Sequence, residues 1–402
     1  MARRCQFLAF LLLPSTLLTH AVDEAAQPRP GNLRGAVVFL TDGAPSRVAD
    51  LAVALQSLDS RFNDRYHYPV VIFHSIDAFD QKSPPLTTTQ EGALRASSRS
   101  SVTFALVNFT SYALAPGYAT SPPVILGKGK GYRHMCRFFA GLVAHHPALA
   151  SFDYYWRLDT DSELLEDVPF DIFAQLPCHG WRYAYAHAAC DAIEATAGLW
   201  SVIAAHYALV SGGGTLASRL PSLLTEHGCP HSNDQENYNN VIFYNNFEIV
   251  DLAWLRSAEY VALFGAVDAA GGFYTKRWGD APVRTLAAHA LLPPAMIHRF
   301  VYLRFHHDMD WGKAPPLWWA PDDAREFPEV SGSPCIDSAA NQRFYEPLRR
   351  APPFVLSWSS FLWIAVGVAF CAGLCARRRK SGLGGKNAHC FAREVFQGRV
   401  RK

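Results

Sequence analysis

The ten residues Tyr154-Tyr155-Trp156-Arg157-Leu158-Asp159-Thr160-Asp161-Ser162-Glu163 constrain this chain more than any others. An aromatic and apolar run ends abruptly in a cluster of carboxylates. That pattern predicts a buried strand delivering acidic side chains to its exposed end. Asp159 and Asp161 are two apart, so on a continuing strand they share a face, and in a turn they converge on one cation. Two hard oxygen ligands suit Mn²⁺ or Mg²⁺, and such a cation suits a diphosphate. An isolated Asp-x-Asp is most often a solvated turn. The lead-in of Tyr-Tyr-Trp argues against that here.

Upstream, Arg34 to Thr41 is a short apolar run closed by Asp42-Gly43, which reads as a buried parallel-type strand and its turn. Val48 to Phe62 carries Leu51, Leu55, Leu58 and Phe62 at helical spacing, and Val70 to His74 predicts a second strand. Strand, helix, strand opens an α/β nucleotide-binding layer, whose ligands lie at the carboxyl ends of its strands. Asp42 and the Asp159 cluster both belong there. Residues 81–101 are rich in Ser, Thr, Pro and Arg and read as a surface loop. Tyr132 to Phe139 opens a helix ahead of the central strand.

The two ends carry membrane signals. Met1-Ala2-Arg3-Arg4 precedes an apolar run from Phe7 to Leu18, which reads as a signal peptide over residues 1–21, with an uncleaved signal anchor as the alternative. Residues 354–376 are almost unbroken in apolar character, about 35 Å of helix, and Arg377-Arg378-Arg379-Lys380 follows at once. The positive-inside rule places the tail, 377–402, in the cytoplasm. The expectation is a short linker over 22–33, a lumenal domain over 34–320, a stem over 321–353 and one C-terminal transmembrane helix. A net charge of +2 and the lack of a basic run in the lumenal region argue against a nucleic-acid partner. The lumenal cysteines are Cys136, Cys178, Cys190, Cys229 and Cys335, an odd number, so at least one thiol stays out of any disulfide. Asn108-Phe109-Thr110 is an N-glycosylation acceptor, in keeping with a lumenal address.

Further segments complete a set: Tyr132-Arg133-x-Met135-Cys136-Arg137-Phe138, Tyr154-Tyr155-Trp156-Arg157, Asn246-Phe247-Glu248-Ile249-x-Asp251-Leu252, Gly271-Gly272-Phe273, Arg277-Trp278-Gly279-Asp280-Ala281-Pro282-Val283, and the pair His306-His307. In this order and spacing they resemble the fungal α-1,2-mannosyltransferases, glycosyltransferase family 15. The resemblance implies a GT-A-like mixed sheet flanked by helices. It also implies transfer of mannose from GDP-mannose to a mannosylated glycan, with Mn²⁺ and retention of configuration, on a Golgi or ER membrane. Residue by residue, Asp159 matches the family's acidic metal ligand, Asp161 adds a second carboxylate, and His307 matches the histidine that completes the metal site. Glu248 matches the carboxylate facing the anomeric carbon, with Asp280 as its catalytic companion. Tyr132 matches another site residue of the family, and Tyr132, Arg157 and Trp278 are the candidate substrate-binding residues. Four departures stand out: Asp-Thr-Asp where the family has Glu followed by Pro, no Arg-Asn in the loop after the first strand, an anchor at the C-terminus, and a poor match from Cys178 to Pro230, where acceptor choice is expected to lie.

Blander roles compete at each position. His307 could be a core histidine, Glu248 a structural partner of Arg157 or Arg277, and Trp278, Phe273 and Trp156 packing residues. Two other functions compete as well: the same fold with another nucleotide sugar, and an inactive membrane-anchored lectin or receptor. The carboxylates and histidine favour an enzyme, since a pure binder need not keep a metal site.

Overall fold

The computed structural model describes residues 33–75, 84–109, 128–220, 238–300, 303, 305–307 and 335. The signal peptide, the transmembrane helix over 354–376 and the tail expected from the sequence lie outside these residues. Among the described residues one run, Ile193–Val210, is long and apolar enough to cross a membrane by length and composition. Its helix packs onto the domain core through Leu199, Trp200 and Ile203, while Leu209 and Val210 are exposed.

In chain order the first half contains β1 (Gly35–Thr41), α1 (Pro45–Leu58), α2 (Asp64–Tyr66), β2 (Val70–His74), α3 (Thr88–Ser97), β3 (Val102–Leu106), α4 (Lys130–Ala140), β4 (Tyr154–Leu158) and β5 (Ser162–Leu164). The second contains α5 (Gln175–His179), β6 (Tyr183–Cys190), α6 (Leu199–Val210), β7 (Val241–Asp251), α7 (Leu252–Leu255), α8 (Ala258–Ala269), α9 (Gly272–Thr275), α10 (Asp280–Leu291), β8 (Ile297–Arg299) and β9 (Phe305–His307). Seven strands form one mixed sheet in the order β3-β2-β1-β4-β7-β6-β8, and β5 pairs with β9 in a separate ribbon. The strands β3, β2, β1 and β4 run parallel, while β7 is antiparallel to both β4 and β6.

The central sheet is covered on both faces, which is why its strands read as continuous apolar runs rather than alternating ones. In β1, Ala36, Val38 and Leu40 enter one core while Val37 and Phe39 enter the other. Helix α1 covers the second core with Leu51, Ala54, Leu55 and Leu58, as its spacing predicts. It then continues as a π-turn over Asp59–Asn63 that still buries Phe62. Buried Asp59 accepts from the Ser98 hydroxyl at 2.9 Å and the Arg99 N–H at 2.7 Å, which draws this turn inward.

One expectation is corrected here. Part of residues 81–101, read as loop from composition, is the helix α3. Thr87 and Gln90 form a reciprocal capping box, and Leu94 is buried against the second core. Counting Thr and Ser as loop formers hid a helix start. Thr87→Ala is expected to lower stability by about 1 kcal/mol in denaturant titration, with turnover unchanged.

Cys178 is bonded to Cys335 across a sequence separation of 157, and Cys190 is also disulfide-bonded. Cys136 is the free, buried cysteine among the described residues, in line with the odd count.

Candidate active site

The chain leaves β1 for β2 and β3 on one side and returns as β4 on the other, so sheet order reverses between β1 and β4. A crevice opens at such a switch point, outside the carboxyl ends of the two strands. Those ends carry Asp42 and Asp159. Asp42 is fully buried and accepts from the Ala44 N–H at 2.9 Å and from Arg47 Nε at 3.0 Å. Gly43 between them donates to the Pro84 carbonyl at 2.8 Å, and a Cβ there would come within 2.2 Å of the Pro85 carbonyl oxygen. The backbone passes too close for any side chain.

On the β4 side the strand ends at Leu158, and Asp-Thr-Asp is a turn, closed by the Ser162 N–H on the Asp159 carbonyl at 3.0 Å. The β5–β9 ribbon sets Ser162 opposite His307 and thereby brings that histidine to Asp161. His307 Nδ1 lies 2.8 Å from Asp161 Oδ1, yet this buried nitrogen makes no well-formed hydrogen bond. Two donor atoms at that spacing suit neighbouring positions around a divalent cation, which at ~2.1 Å from each ligand sets them about 3 Å apart. Burial alone would lower the imidazole pKa, but Asp161 and Asp159 outweigh it and raise the value. Asp159 is turned toward Arg157, accepting from Nε at 3.2 Å and Nη2 at 3.0 Å. Among the described residues no three of His, Cys, Asp and Glu converge as a ready-made metal group. Asp161 and His307 are the pair that meets there.

Behind this turn lie two crossed ion pairs. Arg157 and Glu248 face each other across β4 and β7. Helix α10 supplies Asp280 and, one turn on, Arg284, which project from the same face. Arg157 Nη1 donates to Asp280 Oδ2 at 2.5 Å, while Arg284 Nε sits 3.3 Å from Glu248 Oε2. Charge therefore alternates in both directions through a dry layer. Burial pushes the Asp280 pKa up, but Arg157, Asn245 and Cys136 more than offset this and hold it below the usual range. Asn245 donates to Asp280 Oδ2 at 2.9 Å. A bulge in the β6–β7 pairing, between Tyr185 and His187, interrupts the alternation of β7 and lets Asn245 share a face with Glu248.

Glu248 is 0 % exposed. Tyr155 donates to its Oε1 at 2.7 Å. Burial raises its pKa, with Arg284 and Arg157 opposing the shift. Its ion-pair partner is thus Arg284, where the sequence nominated Arg157 or Arg277, because α10 docks that residue directly over it.

The remaining expected residues separate. Tyr132, in the first turn of α4, accepts from Arg277 Nη2 at 3.2 Å, and Arg277 also reaches Asp191 at 3.4 Å. Trp278 lies in the core at 3 % exposure, its Nε1 donating to the Ala197 carbonyl at 2.8 Å and its ring filling the space over Gly272. In this structure Trp278 packs and offers no open face to a sugar. Asn245, Asp191, Arg284 and Tyr155 join the candidate residues through hydrogen bonds and ion pairs that the sequence does not announce. Arg284 had one legible signal, its helical spacing from Asp280, whereas Asp191 had none. Asn108 is exposed just beyond β3.

The sequence profile of the glycolipid 2-alpha-mannosyltransferases matches residues 20–315. The chain is 29 % identical to the probable mannosyltransferase KTR3 of Saccharomyces cerevisiae over 297 residues, 72 % of this chain and 69 % of that protein. It is 30 % identical to the O-glycoside alpha-1,2-mannosyltransferase homolog 3 of Schizosaccharomyces pombe, over 67 % of this chain and 70 % of that one. Its fold is similar to that of core-mannan synthase A from Aspergillus fumigatus, solved in its Mn/GDP form, with a TM-score of 0.56 and 23 % identity over 74 % of this chain and 81 % of the other. With the profile covering well over half its length, the chain belongs to the glycolipid 2-alpha-mannosyltransferase family.

Proposed function

We propose that this chain is a retaining glycosyltransferase that moves mannose from GDP-mannose to a hydroxyl of a mannosylated glycan, glycoprotein or glycolipid, forming an α-1,2 linkage. The observation that carries the reading is the meeting of Asp161 with His307 at the β1/β4 switch point, beside Asp159 and the Arg157–Asp280 pair. These donors fit Mn²⁺ or Mg²⁺, with Asp159, Asp161 and His307 as ligands. When bound, such a cation neutralises negative charge on the departing nucleoside diphosphate.

The chain's own residues do the rest. Arg157, fixed between Asp159 and Asp280, holds both carboxylates in place before substrate arrives, so the donor meets a pre-organised site. Asp280 orients the sugar through its hydroxyls. Glu248, enclosed by Tyr155 and Arg284, supplies negative charge from behind the site wall toward the carbon where an oxocarbenium-like transition state becomes positive. Tyr132 lines the donor side at the start of α4.

The anchored arrangement proposed is a lumenal domain on a Golgi or ER membrane, held by one C-terminal span. The Cys178–Cys335 bond and the exposed Asn108 suit that compartment.

One specific observation favours a second reading, in which the fold uses another nucleotide sugar. The loop after β1 presents a closed Asp42–Arg47 pair where the resemblance leads one to expect Arg-Asn. A donor screen decides between them. Purified lumenal domain with Mn²⁺ should release nucleotide from GDP-mannose in preference to UDP- and other GDP-sugars. Release from another donor alone would reassign the substrate, and release from none would end the enzyme reading.

A further inference from the structure

We infer that Arg277, with Lys128 and the first turn of α4, forms a subsite for a phosphate group; on the reading above, the phosphate is that of the leaving diphosphate. Arg277 has φ 78°, in the left-handed region that side chains other than glycine rarely adopt. It directly follows the C-cap of the short helix α9, a position where glycine is the usual residue. A non-glycine residue held in such a conformation points to a role for its side chain.

That side chain is 8 % exposed, and its Nε has no hydrogen-bond partner among the described residues. Its other contacts are long, 3.4 Å to Asp191 and 3.2 Å to the Tyr132 hydroxyl. Arg137 shows what a purely structural pair looks like in the same domain, its fork closing on Asp268 at 2.6 and 2.7 Å. Arg277 is buried without being saturated, and a buried donor left unsatisfied is costly unless a ligand completes it.

Against the Asp191 carboxylate that Arg277 already meets, two cations and a helix N-terminus favour a further anion. The guanidinium carbon stands 5.0 Å from the Tyr132 ring centroid, and Lys128 Nζ stands 4.9 Å from the same centroid. Two cations therefore share one ring. Tyr132 belongs to the first turn of α4, an 11-residue helix whose N-cap, Gly129, offers no side chain to its free N–H groups. Such an uncapped end favours a phosphate. One turn further along α4, Cys136 meets Asp280, so the subsite adjoins the crossed ion pairs.

Arg277→Gly separates this role from a structural one, because glycine suits the backbone conformation while removing the guanidinium. Binding of GDP, guanosine and inorganic pyrophosphate is measured by calorimetry with Mn²⁺ present, alongside the melting temperature. The expected result is GDP and pyrophosphate affinity lower by about tenfold or more, guanosine affinity unchanged and a melting temperature no lower than that of the parent. Arg277→Lys should recover part of the affinity. Unchanged GDP and pyrophosphate affinity in Arg277→Gly overturns the subsite, and so does a fall in melting temperature accompanied by equal losses for guanosine and GDP. If the parent protein binds pyrophosphate in an Arg277-dependent way but does not bind GDP, the subsite stands and the donor assignment fails. If the parent binds neither, the subsite fails.

Discussion

Glu248→Gln is expected to lower turnover by on the order of a hundredfold or more while GDP affinity stays within a few-fold of the parent. The substitution preserves shape and removes the charge that the proposed mechanism directs at the reacting carbon. Loss of a transition-state contact appears in turnover rather than in ground-state binding. The structure adds a second expected effect. Glu248 is the counter-ion of buried Arg284, so the variant leaves a cation without its partner and should melt at a lower temperature. A double variant, Glu248→Gln with Arg284→Met, tells the two contributions apart. It removes both charges, so stability should recover in part, short of the hydrogen bonds Arg284 gives to Tyr260 and the Phe139 carbonyl. If the carboxylate acts on the reaction, the double variant stays inactive although it is stable and still binds GDP. Recovery of turnover together with stability would make Glu248 a structural partner and nothing more.

Excess chelator is expected to reduce turnover by about a thousandfold or more, because no side chain replaces a divalent cation in neutralising a diphosphate. Asp161→Ala and His307→Ala should each weaken Mn²⁺ binding, read by calorimetry or electron paramagnetic resonance, and weaken GDP binding along with it. Asp159→Ala should behave differently. Its Oδ1 is committed to Arg157, so its removal also loosens the Arg157–Asp280 pair and should lower the melting temperature. The Asp161 and His307 variants should show less of that loss, since their contact lies at a more exposed edge than the buried Arg157–Asp280 pair. Undiminished turnover in chelator would refute the metal assignment outright.

Local pattern told much about this protein. The buried runs of β1, β2 and β4 are continuous and apolar because each is covered on both faces, and that periodicity depends on a few neighbouring residues only. The same is true of α1, of the start of α4 and of the abrupt change from Trp156 to Asp159. Composition alone misled at α3, where the decisive signal was one pair of residues, Thr87 and Gln90, rather than an average. The ordered motifs carried the family, and with it an expectation for the site.

Partner choice was another matter, since it depends on residues far apart in the chain. His307 reaches Asp161 only because a two-stranded ribbon pairs in one register, and a slip of one residue would turn the histidine to the opposite face. Glu248 meets Arg284 because α10 docks over the β4–β7 pair. No spacing within β7 announces that helix. The bulge near Tyr185 aims Asn245 at Asp280 against the simple alternation of a strand. Trp278 sits in a motif that invites a sugar-stacking role, yet Gly272 leaves room for its ring inside the core. Sequence thus determined the strands, the acidic turn and the family, because these rest on local periodicity and motif order. Only the tertiary structure decided which charge faces which, because in a dry interior register and docking choose the partner of every buried ion.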